Sequence, residues 1–158
     1  MKEFSSGAKQ KIEEILKSFP ARDAALLPVL HLAQDEFGYI SPEAIRCVAD
    51  TLGLPYARVA SVVTFYTLYR QKRVGRHHVQ VCTNISCALS GAEGLLEYLK
   101  ERLKINPGET SPDGKWSLST VECLGSCGTA PVMQVNETYY ENLTREKIEA
   151  ILKELGKR

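Results

Sequence analysis

Apolar side chains recur at helical spacing through the first half of the chain and change rhythm near residue 75. Ile12, Ile15, Leu16 and Phe19 share one helix face, which Pro20 terminates. From Ala24 to Phe37 the stripe runs through Leu26, Leu27, Leu30, Ala33, Gln34 and Phe37. Pro28 falls early, where a missing N–H costs little, and Gly38 stands where a glycine cap belongs. Ser41-Pro42-Glu43 combines a capping hydroxyl, a proline in the first helical position and an acid in the first turn. It predicts a helix to about Leu52, closed by Gly53. Leu54-Pro55 opens a fourth helix carrying Val59, Val62, Val63, Phe65 and Tyr66. Four short helices with brief connections predict a small bundle over residues 1–75.

Residues 76–158 read as a second, α/β domain. His77 to Cys82 alternates around Val79 and Val81, the period of a strand. Gly91 to Leu103 is helical, with Leu95, Leu96, Leu99 and Leu103 on one face, and Asn106 to Gly114 is a Pro- and Gly-rich loop. Leu118–Cys123 and Val132–Val135 are further strand candidates. Asn136-Glu137 turns the chain into a fourth strand at Thr138–Tyr140, and Thr144 caps a last helix holding Ile148, Ile151, Leu152 and Leu155. A crossover helix between the first two strands makes them parallel, with a right-handed connection, and the hairpin makes the sheet mixed.

Composition narrows the function classes. Twenty basic against nineteen acidic side chains give a formal net charge of +1, which argues against a nucleic-acid face. The basic run from Arg70 to Arg76 reads as a solvated linker. The longest apolar stretch, Val59 to Tyr66, is interrupted by Ser61 and Thr64 and is far short of the ~20 residues of a membrane span. The first residues lack the apolar core of a secretory signal, so the expected compartment is the cytosol, where cysteines favour metal or catalysis over disulfides.

Five cysteines are present, and four form two pairs. Four residues separate Cys82 from Cys87, three separate Cys123 from Cys127, and thirty-five lie between the pairs. Each pair follows a strand-like run, so parallel neighbouring strands carry both to one sheet edge, where open α/β folds place ligands. Converging thiolates repel one another and call for a cation between them. An iron–sulfur cluster meets that need, and backbone N–H groups near Gly125 and Gly128 suit its negative charge. Cys87 is expected just before the crossover helix. A four-cysteine zinc site remains the rival, although its knuckles usually have two residues between ligands. The Cys-x-x-Cys of dithiol redox sites is absent. Cys47, among Ile45, Val48 and Ala49, reads as a buried small hydrophobe, and His31, His77 and His78 as packing or surface residues.

At these residues the chain resembles the small [2Fe–2S] subunit, a thioredoxin-like ferredoxin, of bacterial NADH:quinone oxidoreductases (respiratory complex I). The resemblance rests on the segment from Gly38-Tyr39-Ile40 to Val63-Thr64-Phe65-Tyr66, on Val81-Cys82-Thr83-Asn84, and on Glu122-Cys123-Leu124-Gly125-Ser126-Cys127-Gly128 running to Ala130-Pro131. Arg76 and His77 depart from the family pattern without touching the cysteine motif. The resemblance implies a thioredoxin-like ferredoxin domain behind a helical bundle, with one [2Fe–2S] cluster per chain held by Cys82, Cys87, Cys123 and Cys127. It implies a flavoprotein partner binding FMN, NADH and a [4Fe–4S] cluster, within a larger complex peripheral to the inner membrane on the cytoplasmic side. Similar subunits serve NAD-linked hydrogenases and formate dehydrogenases. Gly125-x-x-Gly128 is too short for a dinucleotide fingerprint, so NADH is not expected on this chain. The same likeness implies a cis Ala130–Pro131 bond. The helical segment either shields the ferredoxin-like domain or docks the partner, and docking is the expectation because a cluster exchanging electrons with another chain must be held at fixed distance and orientation, with Phe65, Tyr66 and Tyr69 near the junction.

Overall fold

The computed structural model describes residues 2–157, and the chain divides into two compact units between Arg73 and Val74.

The first unit is helical. α1 (Ser6–Lys17) is capped by Ser5, whose hydroxyl accepts from Ala8 N–H at 3.2 Å. Its C-cap is Ser18, so Phe19 lies beyond the helix rather than on its stripe and is 38% exposed. A single 3₁₀ turn, Asp23–Ala25, occupies the expected start of the second helix, and α2 runs Leu26–Phe37. Its cap Gly38 has φ 80°, a left-handed geometry that costs glycine little. α3 (Pro42–Leu52) has Ser41 at its N-cap, accepting from Ala44 N–H at 3.3 Å, and Gly53 at φ 65° behind it. α4 spans Tyr56–Phe65.

The stripes meet as predicted. Ala8 and Ile12 of α1, Val29, Leu30 and Ala33 of α2, Ala44, Val48 and Leu52 of α3, and Val59 and Val63 of α4 share one core. Gln34 is buried in that stripe at 6% exposure. Its amide nitrogen donates to Leu68 O at 3.1 Å, and its amide oxygen accepts from Arg70 N–H at 2.6 Å. Ile40 N–H donates to Arg70 O at 2.7 Å, so the segment after α4 is tied back to the bundle. Tyr69 is only 2% exposed and donates its hydroxyl to Leu27 O at 2.9 Å, which removes it from any docking surface. Phe65 stays 76% exposed and Tyr66 38%.

The second unit is built on a four-stranded sheet in the order β2-β1-β3-β4. β1 (His77–Cys82) and β2 (Trp116–Val121) are parallel, in a register running from His77 opposite Trp116 to Cys82 opposite Val121. β3 (Met133–Val135) pairs antiparallel with β1, and β4 (Thr138–Tyr140) antiparallel with β3. Asn136, in the turn between them, takes φ 55°, a conformation Asn tolerates in tight hairpins. The sequence pattern predicts two helices here, and three form. The addition is α5 (Ile85–Leu89), a short helix before α6 (Ala92–Leu103); α7 (Arg145–Gly156) is capped by Thr144 as expected. Val79 and Val81 of β1, Leu118, Met133 and Val135 meet Leu95 and Leu99 of α6 and Ile148 and Leu152 of α7 in a single core.

β2 begins two residues earlier than predicted. Trp116 pairs with His77 in the ladder, and its ring lies 4.8 Å from the imidazole of that buried histidine. The strand also stops at Val121, so Cys123 lies two residues past it rather than at its end. The Ala130–Pro131 bond is cis, as the resemblance implies. Among the described residues no helix is long and apolar enough to cross a membrane.

Candidate metal centre

Cys82 is the last residue of β1, and its surroundings are set by strand pairing. Its N–H donates to Val132 O at 3.1 Å, and the next N–H, of Thr83, donates to Val121 O at 3.0 Å. Asn84 then caps α5, accepting Ile85 N–H at 2.8 Å on its side-chain oxygen. This turn carries Cys87 back under the strand ends, where it packs with Cys82, Ala92 and Val132 and against Val121, Leu124 and Ala130. Cys82 is 3% exposed and Cys87 2%. Cys87 therefore lies on its own short helix, not directly before the crossover helix as expected.

Cys123 and Cys127 are exposed. Between them Gly125 takes φ 74°, a left-handed turn that aims its N–H at Cys123 Sγ, 3.3 Å away. The expected backbone donor near this glycine thus serves Cys123. Cys127 opens a 3₁₀ turn, Cys127–Thr129, closed by Thr129 N–H donating to Ser126 O at 3.1 Å.

Burial disfavours the Cys82 thiolate, but the N–H groups of Asn84 and Leu124 and the Cys87 and Cys123 thiols outweigh it, and the Cys82 pKa falls. Cys87 moves the other way. Burial raises its pKa, the Cys82 thiol adds to the rise, and Val132 N–H offsets only part of it. Cys127 also lies within electrostatic reach of Cys87. The donors are sulfur at all four positions, two from each loop, which suits soft iron. Among the described residues no group of three or more His, Cys, Asp or Glu is arranged to hold a metal ion. A two-iron cluster shares its ligands between two metals, and two thiol-bearing loops facing each other fit it.

Other candidates fall away from this edge. Cys47 is half-buried rather than fully buried, packs on the helical core, and has its thiol pKa raised by burial. His31 lies tilted against Tyr69 with ring centroids 5.3 Å apart, and His78 meets Ser119 Oγ at 2.8 Å. Sequence reasoning does not single out Glu141, whose carboxylate accepts hydrogen bonds from Ser126 and Thr129 of the second cysteine loop. No periodicity marks it, because an exposed acid between a strand and a cap has no pattern to break. Ile85 and Leu89, 70% and 84% exposed on α5, carry no sequence signal either.

Comparison with known proteins gives the family. The chain is 47% identical over 152 residues to NADH-quinone oxidoreductase subunit 2 of Thermus thermophilus, covering 93% of this chain and 84% of that one. It is 44% identical over 144 residues to an NADH-quinone oxidoreductase subunit of Rhizobium meliloti, covering 91% and 86%. Its fold is similar to part of an NAD+-reducing [NiFe]-hydrogenase in the H2-reduced state, with a TM-score of 0.73 at 21% identity over 84% of this chain and 22% of that chain. The family model of thioredoxin-like [2Fe-2S] ferredoxins matches residues 12–156. The chain belongs to the thioredoxin-like [2Fe–2S] ferredoxin family.

Proposed function

We propose that this chain is the electron-transfer subunit of an NADH:quinone oxidoreductase, with Cys82, Cys87, Cys123 and Cys127 holding one [2Fe–2S] cluster. The observation that carries this reading is the packing of Cys82, at the end of β1, with Cys87 and against Leu124 and Ala130 of the loop that bears Cys123 and Cys127. When bound, such a cluster supplies a site that takes up and releases electrons singly. The protein's part is to hold it. Cys82 and Cys87 form a dry wall against Ala92 and Val132, while Cys123 and Cys127 face outward. The outward side is the side from which an electron is exchanged. Gly125 N–H, directed at Cys123 Sγ, lends positive charge to the sulfur that must carry extra negative charge on reduction.

The partner is a flavoprotein chain that binds NADH and FMN, in a complex lying peripheral to the inner membrane on the cytoplasmic side. A hydride carries two electrons, and a cluster held by Cys82, Cys87, Cys123 and Cys127 would accept one at a time, so a flavin in the partner would supply the division of the pair. The two units have separate tasks in this reading. Residues 76–158 carry the cluster, and residues 1–75 help to dock the partner, since electron exchange between chains needs a fixed distance. Anaerobically purified protein should contain about two irons and two acid-labile sulfides per chain and give a paramagnetic signal on reduction by one electron. Zinc in place of iron would refute the assignment, and co-purification from the native source identifies the partner.

A further inference from the structure

The second cysteine loop is tied to the segment after β4 by the Glu141 side chain. Glu141 follows β4, and its Oε1 accepts from Ser126 Oγ and from Thr129 Oγ1, the latter at 2.6 Å. Two backbone bonds run alongside. Asn142 N–H donates to Thr129 O at 2.7 Å, and Leu143 N–H donates to Pro131 O at 3.0 Å. Ser126 and Thr129 flank the turn that holds Cys127, so one carboxylate grips that turn at both ends. Hydroxyl donors to an ionised acceptor make stronger bonds than neutral pairs do. The same two hydroxyls, Ser126 before Thr129, hold the Glu141 carboxyl below the usual carboxylate range, so it is ionised at neutral pH.

We propose that Glu141 is a positioning residue for the cluster site: it fixes the Cys127 limb through Ser126 and Thr129 and sets a negative charge on that turn that lowers the reduction potential of the bound cluster. This rests on the reading that Cys123 and Cys127 are ligands. The electron balance is simple. One electron passes from a reductant, a reduced flavin in the complex or dithionite in the test, to the iron pair, and no covalent bond of the protein forms or breaks. The reduced state carries one more negative charge than the oxidised one, and a nearby carboxylate disfavours it. Glu141 is exposed, so salt weakens the effect.

The test uses the full-length chain, reconstituted anaerobically with iron and sulfide, as wild type, Glu141→Gln and Glu141→Ala. Glutamine keeps an oxygen that accepts from both hydroxyls and removes the charge. Its midpoint potential, from an electron paramagnetic resonance titration, should lie above that of wild type at low salt, with the gap closing at high salt. Its resistance to iron chelators should match wild type. Alanine removes the grip as well, and its cluster should bleach several-fold faster under chelation. A Glu141→Gln potential equal to that of wild type at low salt overturns the charge effect, and wild-type bleaching in Glu141→Ala overturns the positioning role. A wild-type chain that takes up zinc or no cluster at all refutes the ligand assignment itself, a result separable from either of these.

Discussion

Cys82 and Val121 stand opposite each other in the last rung of the parallel β1–β2 ladder. That rung places Cys123 two residues beyond the partner of Cys82, which is why the first cysteine of each pair reaches the same sheet edge. A slip of one residue would turn Cys82 to the other face of the sheet. The buried alternation of Val79 and Val81 prevents it.

Single replacement of Cys82, Cys87, Cys123 or Cys127 by serine should abolish or perturb the visible and paramagnetic spectra, because a hydroxyl is a poor substitute for a soft thiolate. Cys47→Ser should leave both spectra as in wild type, since Cys47 packs on the helical core. Iron and sulfide analysis of the five variants checks this. A spectral change in Cys47→Ser, or none in the other four, contradicts the ligand set.

Gly75→Ala should destabilise the protein by roughly 1–3 kcal/mol, the usual cost of forcing an extra methyl into filled space. A Cβ there would lie 2.8 Å from Trp116 C and 2.9 Å from Trp116 N, both backbone atoms that β2 pairing holds in place. Gly75 N–H also donates to Ser117 Oγ at 2.6 Å, so the glycine has little room to move away. At an uncrowded position the same change stabilises through the unfolded chain, so the sign of the effect in urea denaturation is decisive.

Arg102 and then Tyr98 donate to Glu149 and hold its pKa down from 4.5 to about 2. A lowered carboxyl contributes stability above its ordinary pKa and loses it as pH falls through the folded value. Wild type should therefore melt above Glu149→Gln at neutral pH, with the gap narrowing as pH falls from 4.5 toward 2. The pair is exposed and screened by solvent, so the gap is small and shrinks further in salt. A gap that is constant over that range shows that the carboxylate charge contributes nothing.

If the helical unit docks the flavoprotein chain proposed above, Phe65→Ser should weaken that association while leaving the fold unchanged to within about 0.5 kcal/mol, as is usual for exposed positions. Phe65 is 76% exposed, packs edge-on to Tyr66 at 5.0 Å, and lines a cleft of about 560 Å³ with Leu27 and Val62. Pull-down of the partner at reduced stoichiometry is the expected outcome. Full recovery moves the docking surface elsewhere on the chain.

Much of this architecture is legible in the sequence because its signals are local. Ser41-Pro42 and Gly53 bound α3, and Thr144 starts α7, each through backbone groups within a turn of the residue itself. Strand β1 shows because one face is buried, and the cysteine pairs show because their spacing is unusual. What the sequence hides depends on distant partners. α5 has five residues with Ile85 and Leu89 turned to solvent, so it lacks an apolar stripe. The early start of β2 rests on Trp116 lying against His77, thirty-nine positions away in sequence. Glu141 gains its role only when the hairpin returns the chain to the second cysteine loop.

Gln34 gives the helical unit a constraint of another kind. Its amide serves an acceptor at Leu68 and a donor at Arg70 at once. A leucine would keep the stripe and leave both backbone groups without their partner, at about 1–3 kcal/mol for each buried one. Glutamate would keep the acceptor and lose the donor, and asparagine would fall one methylene short of the reach. Among commonly exchanged residues no substitute meets both demands, so this position should be intolerant of variation although it does not fill the core by volume. Its side chain specifies a path for the backbone, and a glutamine in an apolar stripe, easily dismissed as an imperfection, is the record of that path.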